Sequence, residues 1–233
     1  MNPNLTEMVL SQIQKTTTKR CYNKIPLPES EIERVLAAFY AKVVESTSKT
    51  VEKPQMELKN VAKWLEYNYT KPWLVIYGNI GNGKTTTVKA IVKVYEAIKN
   101  VSQQQLKDTS CLSDRQIDQI EKRAALHVPV IYSAQDIAVI ANTSAEAFEA
   151  IKKLPSLIID DIGVEPTKVL HYGTEICPIA EILYWRYEKR LMTIMTTNLN
   201  FKQISEYYGD RIADRMTELS PRIAYKSNSY RRN

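Results

Sequence analysis

The chain has 233 residues, 44% of them apolar and 25% charged, which suffices for one full domain plus a small module built around a real core. Its formal net charge of +6 admits a polyanionic partner without requiring one. No run approaches the roughly 18 apolar residues of a membrane span, and MNPNLTEMVLSQIQK has no basic head before an apolar block, so a cytoplasmic protein without membrane contact is expected.

Residues 1–28 are polar and end in KIPLPES, where two prolines oppose a continuing helix. After Ser30, EIERVLAAFYAKVVES sets Ile32, Val35, Leu36, Phe39, Tyr40 and Val43 at helical spacing. A second helix, QMELKNVAKWLEYN, places Met56, Val61, Trp64 and Leu65 on one face. The pattern changes at WLVIY (73–77), a wholly apolar β-rich run of the kind buried on both faces of a sheet. This sets a boundary near residue 70, dividing a helical module (1–70) from a second domain (71–233).

From there strands and helices alternate. VKAIVKVYEAIK (88–99) reads as a helix, residues 101–127 as a polar insertion with one helix, and VPVIY (128–132) as the second strand. SAEAFEAIKKL leads to the strand SLIID, EICPIAEILYWRYEKR to the strand LMTIMTT, and RIAYK (222–226) supplies a fifth. Strands separated by helices predict an α/β fold, a parallel sheet with helices on both faces. The three cysteines (21, 111, 177) and two histidines (127, 171) are too scattered for a disulfide framework or a zinc site.

Between the first strand and its helix lies GNIGNGKTTT, where Gly78, Gly83, Lys84 and Thr85 fit GxxxxGK[ST]. The glycines Gly78, Gly81 and Gly83 let the backbone turn its N–H groups into one concavity, and the following helix adds its positive end. Lys84 is expected to reach the β- and γ-phosphates of a nucleoside triphosphate, and Thr85 to offer its hydroxyl to Mg²⁺. SLIIDDIG ends a strand in Asp160, a metal-handling carboxylate, and Asp161, placed to orient an attacking water. Asn198 in TTNLN can hold a water near the γ-phosphate. In GDRIADRM, Arg211 and Arg215 stand four apart on one helix face. On that face they could meet a phosphate, while Asp210 and Asp214 offer the alternative of a salt-bridged surface.

Taken in order, YGNIGNGKTTT, LIIDDIGVEP, IMTTNLN, YGDRIADRM and SNSYR resemble an AAA+ ATPase of the DnaC/DnaI-type helicase-loader branch, which includes IstB-like transposition ATPases. The resemblance covers about residues 72–231. It implies a five-stranded sheet of order 5-1-4-3-2, a P-loop AAA+ core without a C-terminal lid, and ATP and Mg²⁺ as cofactors. By that similarity Gly78, Asn79, Ile80, Gly81, Asn82, Gly83, Lys84, Thr85 and Thr86 bind ATP, together with a sensor-2-like Arg231. Thr85 and Asp160 hold the metal, Asn198 is sensor 1, and Arg215 is the arginine finger, with Arg211 as the other candidate.

Function follows as an expectation: a replicative helicase loader, slow in ATP hydrolysis, self-associating on ATP and single-stranded DNA. The hexameric helicase would be engaged through residues 1–70. An IstB-like transposition helper is the alternative, and a P-loop small-molecule kinase a more distant one. Asp161 stands where many relatives have glutamate, so hydrolysis is expected to be either slow or assisted by Glu165. The helices at 134–153, basic only at Lys152 and Lys153, are candidates for either DNA contact or plain packing, and Arg222, Lys226, Arg231 and Arg232 for either DNA contact or a solvated tail.

Overall fold

Strand β1 (Trp73–Gly78) sits inside the sheet, with Trp73, Leu74, Val75 and Ile76 all fully buried. Burial of each such side chain contributes about 1.5–3 kcal/mol, which is why a run without polar residues is stable only in the middle of a sheet. The computed structural model describes residues 22–46, 54–171 and 173–225.

Around β1 the parallel sheet has the order β2-β3-β6-β1-β7, with β2 at Val130–Ser133, β3 at Ser156–Ile162, β6 at Met192–Thr197 and β7 at Arg222–Tyr225. Counted along the chain within this sheet, that is the expected 5-1-4-3-2. Alternation along the strands feeds two cores. Leu74, Ile76, Ile158 and Ile194 face one, shared with α1 (Glu29–Glu45), α2 (Gln55–Leu65) and α3 (Lys84–Gln105). Trp73, Val75, Ile159 and Met195 face the other. Its helical layer is α5 (Ala134–Thr143), α6 (Ala145–Lys153), α7 (Pro178–Lys189), α8 (Phe201–Tyr208) and α9 (Asp210–Leu219).

The two helices before β1 bury Ile32, Leu36, Tyr40, Leu58, Val61, Trp64 and Leu65 in the same cluster as α3. Met56, expected on the apolar face, is 68% exposed; Leu58 takes that role, two positions further round the helix. Helix α3 is longer than the predicted 88–99. It starts at Lys84 and runs through VSQQQ, whose solvated glutamines are good helix formers. The rest of the polar insertion carries one helix, α4 (Asp114–Ala124), opened by a reciprocal Ser113–Gln116 capping box.

Two elements escaped the sequence reading. An antiparallel ribbon, β4 (Val169–His171) and β5 (Thr174–Ile176), precedes α7 and contacts α5. Helix α8, capped by Asn200, fills the space between β6 and α9. Among the described residues no helix is long and apolar enough to cross a membrane.

Candidate functional site

The loop joining β1 to α3 is bent by glycines at positive φ: Gly78 at 150°, Gly81 at 83° and Gly83 at 94°. At two of them space as well as φ forbids a side chain. A Cβ on Gly78 would lie 2.3 Å from the Tyr225 carbonyl oxygen, and one on Gly83 would lie 2.4 Å from the Tyr40 hydroxyl. The first turn of α3 has no side-chain cap, so its N–H groups are left for an anion.

Lys84 is 5% exposed and its ammonium donates to the carbonyls of Gly78 (2.8 Å) and Asn79 (2.9 Å). It also donates to Oδ1 of Asn82 (3.3 Å) and Oδ1 of Asn198 (2.7 Å). Lys84 and Asn198, 114 residues apart, therefore meet at the C-terminal ends of adjacent strands, the edge where parallel α/β sheets gather their ligands. Asn82, fully buried, uses its amide nitrogen to reach the Tyr225 carbonyl at 2.7 Å, tying the loop to β7. Ile80 is 62% exposed at the loop's outer rim.

The acidic pair is shaped by an irregularity in β3. Ile159 pairs with Met195 and Ile162 with Thr197, so three steps on β3 match two on β6, and the extra residue falls at Asp160–Asp161. Asp161 takes a left-handed φ of 57° there. Such bulges re-aim side chains beside functional sites. Asp160 accepts from the Thr85 hydroxyl at 3.0 Å and from the Thr196 hydroxyl at 2.5 Å, and Thr196 Oγ1 accepts the Asp161 N–H at 2.8 Å. Thr196 thus holds both aspartates at once. Sequence reasoning singled out nearby Asn198 and missed Thr196; the signal was a TT pair closing the strand at the ligand edge, and both threonines are fully buried.

Thr85 and Asp160 form a hard-oxygen pair next to the phosphate loop, which suits Mg²⁺, an ion that takes one or two protein oxygens and completes its shell with phosphate and water. Among the described residues no group of three or more His, Cys, Asp or Glu could hold a metal by itself. The glycine cradle, the uncapped helix start and this oxygen pair fit a Mg²⁺–nucleoside triphosphate.

Glu165 does not serve as the expected assistant to Asp161. It is 2% exposed; one carboxylate oxygen accepts the Gly163 N–H at 2.8 Å and the other the Tyr208 hydroxyl. Burial, then the Glu165 charge, pushes the Tyr208 phenol far above its ordinary range, so this bond keeps its proton on the tyrosine. The carboxylate is buried and anchors the turn after β3, each of its oxygens already taking a donor from the chain.

Arg211 and Arg215 lie on α9, outside this cluster. Arg211 is exposed. Arg215 packs its guanidinium 4.2 Å from the Tyr187 ring centroid and 4.6 Å from that of Tyr184, and reaches Glu188 at 3.4 Å. Lys152 pairs with Glu149 at 2.7 Å over the Phe148 and Trp185 rings, a packing role that leaves Lys153 as the outward cation of α6. Arg222 stacks 3.8 Å from the Phe201 ring centroid. Lys226, Arg231 and Arg232 lie outside the described residues.

Strand order, phosphate loop and paired acids define an α/β P-loop nucleotide-binding fold with the AAA+ arrangement of strands. The solved structure of the DnaC helicase loader is similar at a TM-score of 0.51 and 15% identity, over 76% of this chain and 93% of that one. That of DnaI is similar at 0.52 and 18%, over 88% and 94%. No family model matches the sequence and no curated protein matches it significantly. At such identities the likeness is one of fold.

Proposed function

We propose that this protein is an ATP-dependent loader of a replicative helicase, binding Mg²⁺–ATP at the loop and handing its state to partners by self-association on single-stranded DNA. The observation that carries the reading is the meeting of Lys84 with Asn198 and of Thr85 with Asp160 at one sheet edge. A lysine that bridges the phosphate loop to the tip of β6 is placed to report whether a γ-phosphate is present, because that phosphate competes for the same ammonium. The fold shared with DnaC and DnaI supports the loader role.

In the working site Lys84 neutralises the β- and γ-phosphates, Thr85 and Asp160 hold Mg²⁺, Asp161 orients water, and Asn198 senses the γ-phosphate. The metal supplies charge neutralisation at the transferred phosphoryl group. Arg211 or Arg215 then reaches a neighbouring subunit's nucleotide. Arg215 must leave its tyrosines to do so, whereas Arg211 is already exposed, which favours Arg211 as the first arginine to engage. Helicase contact falls to residues 1–70. Because α1 and α2 bury their apolar faces inside, it uses their polar outer faces or the chain before them.

Sedimentation with and without a non-hydrolysable ATP analogue tests the proposal, run with single-stranded DNA and a hexameric helicase present. Assembly that needs both analogue and DNA is expected, together with DNA-stimulated ATP hydrolysis that Arg211→Ala lowers while sparing ATP binding. A monomer under every condition overturns it.

A further inference from the structure

A second cavity, of about 690 Å³, opens at the opposite end of the sheet from the phosphate loop. Its floor includes Pro155, Leu191 and Met192, at the starts of β3 and β6. From Met192 to Asn198 is about 20 Å at roughly 3.3 Å per residue, so the two sites are separate. The volume is that of a small-molecule pocket.

Charge around this cavity has one sign. Lys24, Lys122, Lys189, Arg190 and His127 line it, and among the described residues no carboxylate does. Lys24 is 1% exposed, donating to the Trp64 carbonyl at 2.6 Å with its ammonium 3.1 Å from the Trp64 ring centroid, so its charge is held in place. Lys122 and Arg190 have carboxylate neighbours outside the lining, Asp118 at 2.6 Å and Glu218 at 3.1 Å. Both are surface pairs, which exchange readily for a stronger anion. Lys189 leans on the Trp185 ring.

The wall is rigid. Asn23 holds the chain at His127 from both sides, donating to its carbonyl (2.7 Å) and accepting its N–H (2.9 Å), and also reaches Ser156 Oγ at 2.6 Å. Its own carbonyl accepts the Tyr95 hydroxyl at 2.7 Å. Three non-glycine residues have positive φ among those described: Asp161 in the nucleotide site, and Asn23 (56°) and Arg190 (52°), both of which line this cavity. Arg190 takes its φ as the left-handed C-cap that ends α7, and asparagine is among the residues that enter this region most readily.

We infer that this cavity binds a small organic phosphate of nucleotide size, separate from the nucleotide at the loop. Its phosphate sits among Lys122, Lys189 and the planar fork of Arg190, with Lys24 contributing its buried charge from below. An aromatic or apolar body rests between Tyr22, Tyr67 and Leu126. Bound there, the ligand bridges the end of α4 to the start of β6.

Isothermal titration of the full chain with AMP, UMP and inorganic pyrophosphate tests this, using wild type, Lys84→Ala, and the double variant Lys122→Glu/Lys189→Glu. At least one probe is expected to bind saturably below about 1 mM, equally in Lys84→Ala, and about tenfold or more weakly in the double variant. Both lysines of the double variant are exposed, so it is expected to keep ATP binding at the loop, which distinguishes a lost site from a lost fold. Absence of saturation with all three probes overturns the inference, as does binding that disappears in Lys84→Ala or is unchanged in the double variant. Because Lys84→Ala disables only the loop, failure here leaves the helicase-loader proposal standing.

Discussion

Replacing Thr196 by valine removes one hydroxyl and almost no volume, yet that hydroxyl makes two bonds, to Asp160 at 2.5 Å and from the Asp161 N–H at 2.8 Å. A hydrogen bond to a charged group contributes about 1.5–3 kcal/mol and a neutral one about 0.5–1.5 kcal/mol. Valine's additional buried methyl offsets about 0.8 kcal/mol, and partial exposure of the aspartates trims the larger figure, leaving a net loss of roughly 1–3 kcal/mol. The same change frees the Asp160 carboxylate from one of its two hydroxyl partners, and loss of such an outer-shell partner lowers metal affinity by about 10- to 100-fold. Urea unfolding reads the first effect, and Mg²⁺ titration of fluorescent-nucleotide binding the second. Thr196→Ser, which keeps the hydroxyl, should restore most of both. A valine variant with the wild-type urea midpoint and unchanged Mg²⁺ dependence would refute the assignment of Thr196 as the residue that positions the acidic pair.

Gly83→Ala should destabilise the chain by about 1–3 kcal/mol through its φ of 94° alone, with a further cost from the Tyr40 hydroxyl. Tyr40→Phe in the same chain should recover only the steric part, seen as non-additivity in denaturant melts. Tyr208→Phe leaves an oxygen of the buried Glu165 without its donor. A loss of about 1.5–3 kcal/mol is expected, with faster proteolytic cleavage in the 163–168 turn. Burial, as the leading cause, raises the Cys177 thiol above its ordinary value, so at pH 8 less of it is thiolate than for an exposed cysteine. Peptide mapping after iodoacetamide treatment should find Cys111 modified before Cys177, the lag narrowing as pH climbs past 9.

Much of this architecture was legible because the strands announce themselves. WLVIY, SLIID and LMTIMTT are short, apolar and bounded by turns, and a phosphate loop after the first of them fixes where the ligand edge lies. Strand order was reached through resemblance, since nothing in local periodicity says which strands become neighbours. What sequence hid depends on contacts distant along the chain. Glu165 looked available from its spacing to Asp161, and only its meeting with Tyr208, 43 residues on, removes it. The ribbon β4–β5 was too short for alternation to register, and α8 was masked by the stronger signal of the helix after it. Met56 and Leu58 sit too close to the start of α2 for periodicity alone to decide which faces inward.

Arg186, fully buried on α7, donates to the backbone carbonyls of Lys152, Leu154 and Met192 and to Thr193 Oγ1, and burial lowers its guanidinium to about 9. These acceptors come from the end of α6, the entry to β3 and the entry to β6, and they converge only when Ser156 stands opposite Met192. A slip of one residue between β3 and β6 would turn every core side chain to the wrong face and also strand a cation in a dry interior. Arg186 therefore favours this register over its neighbours: a mispaired chain would have nowhere to put its charge. Asp160 and Thr196 lie on those same two strands, so the register that Arg186 favours at one end of the sheet runs as far as Ile159 and Met195, where the extra residue at Asp160–Asp161 re-aims the acidic pair.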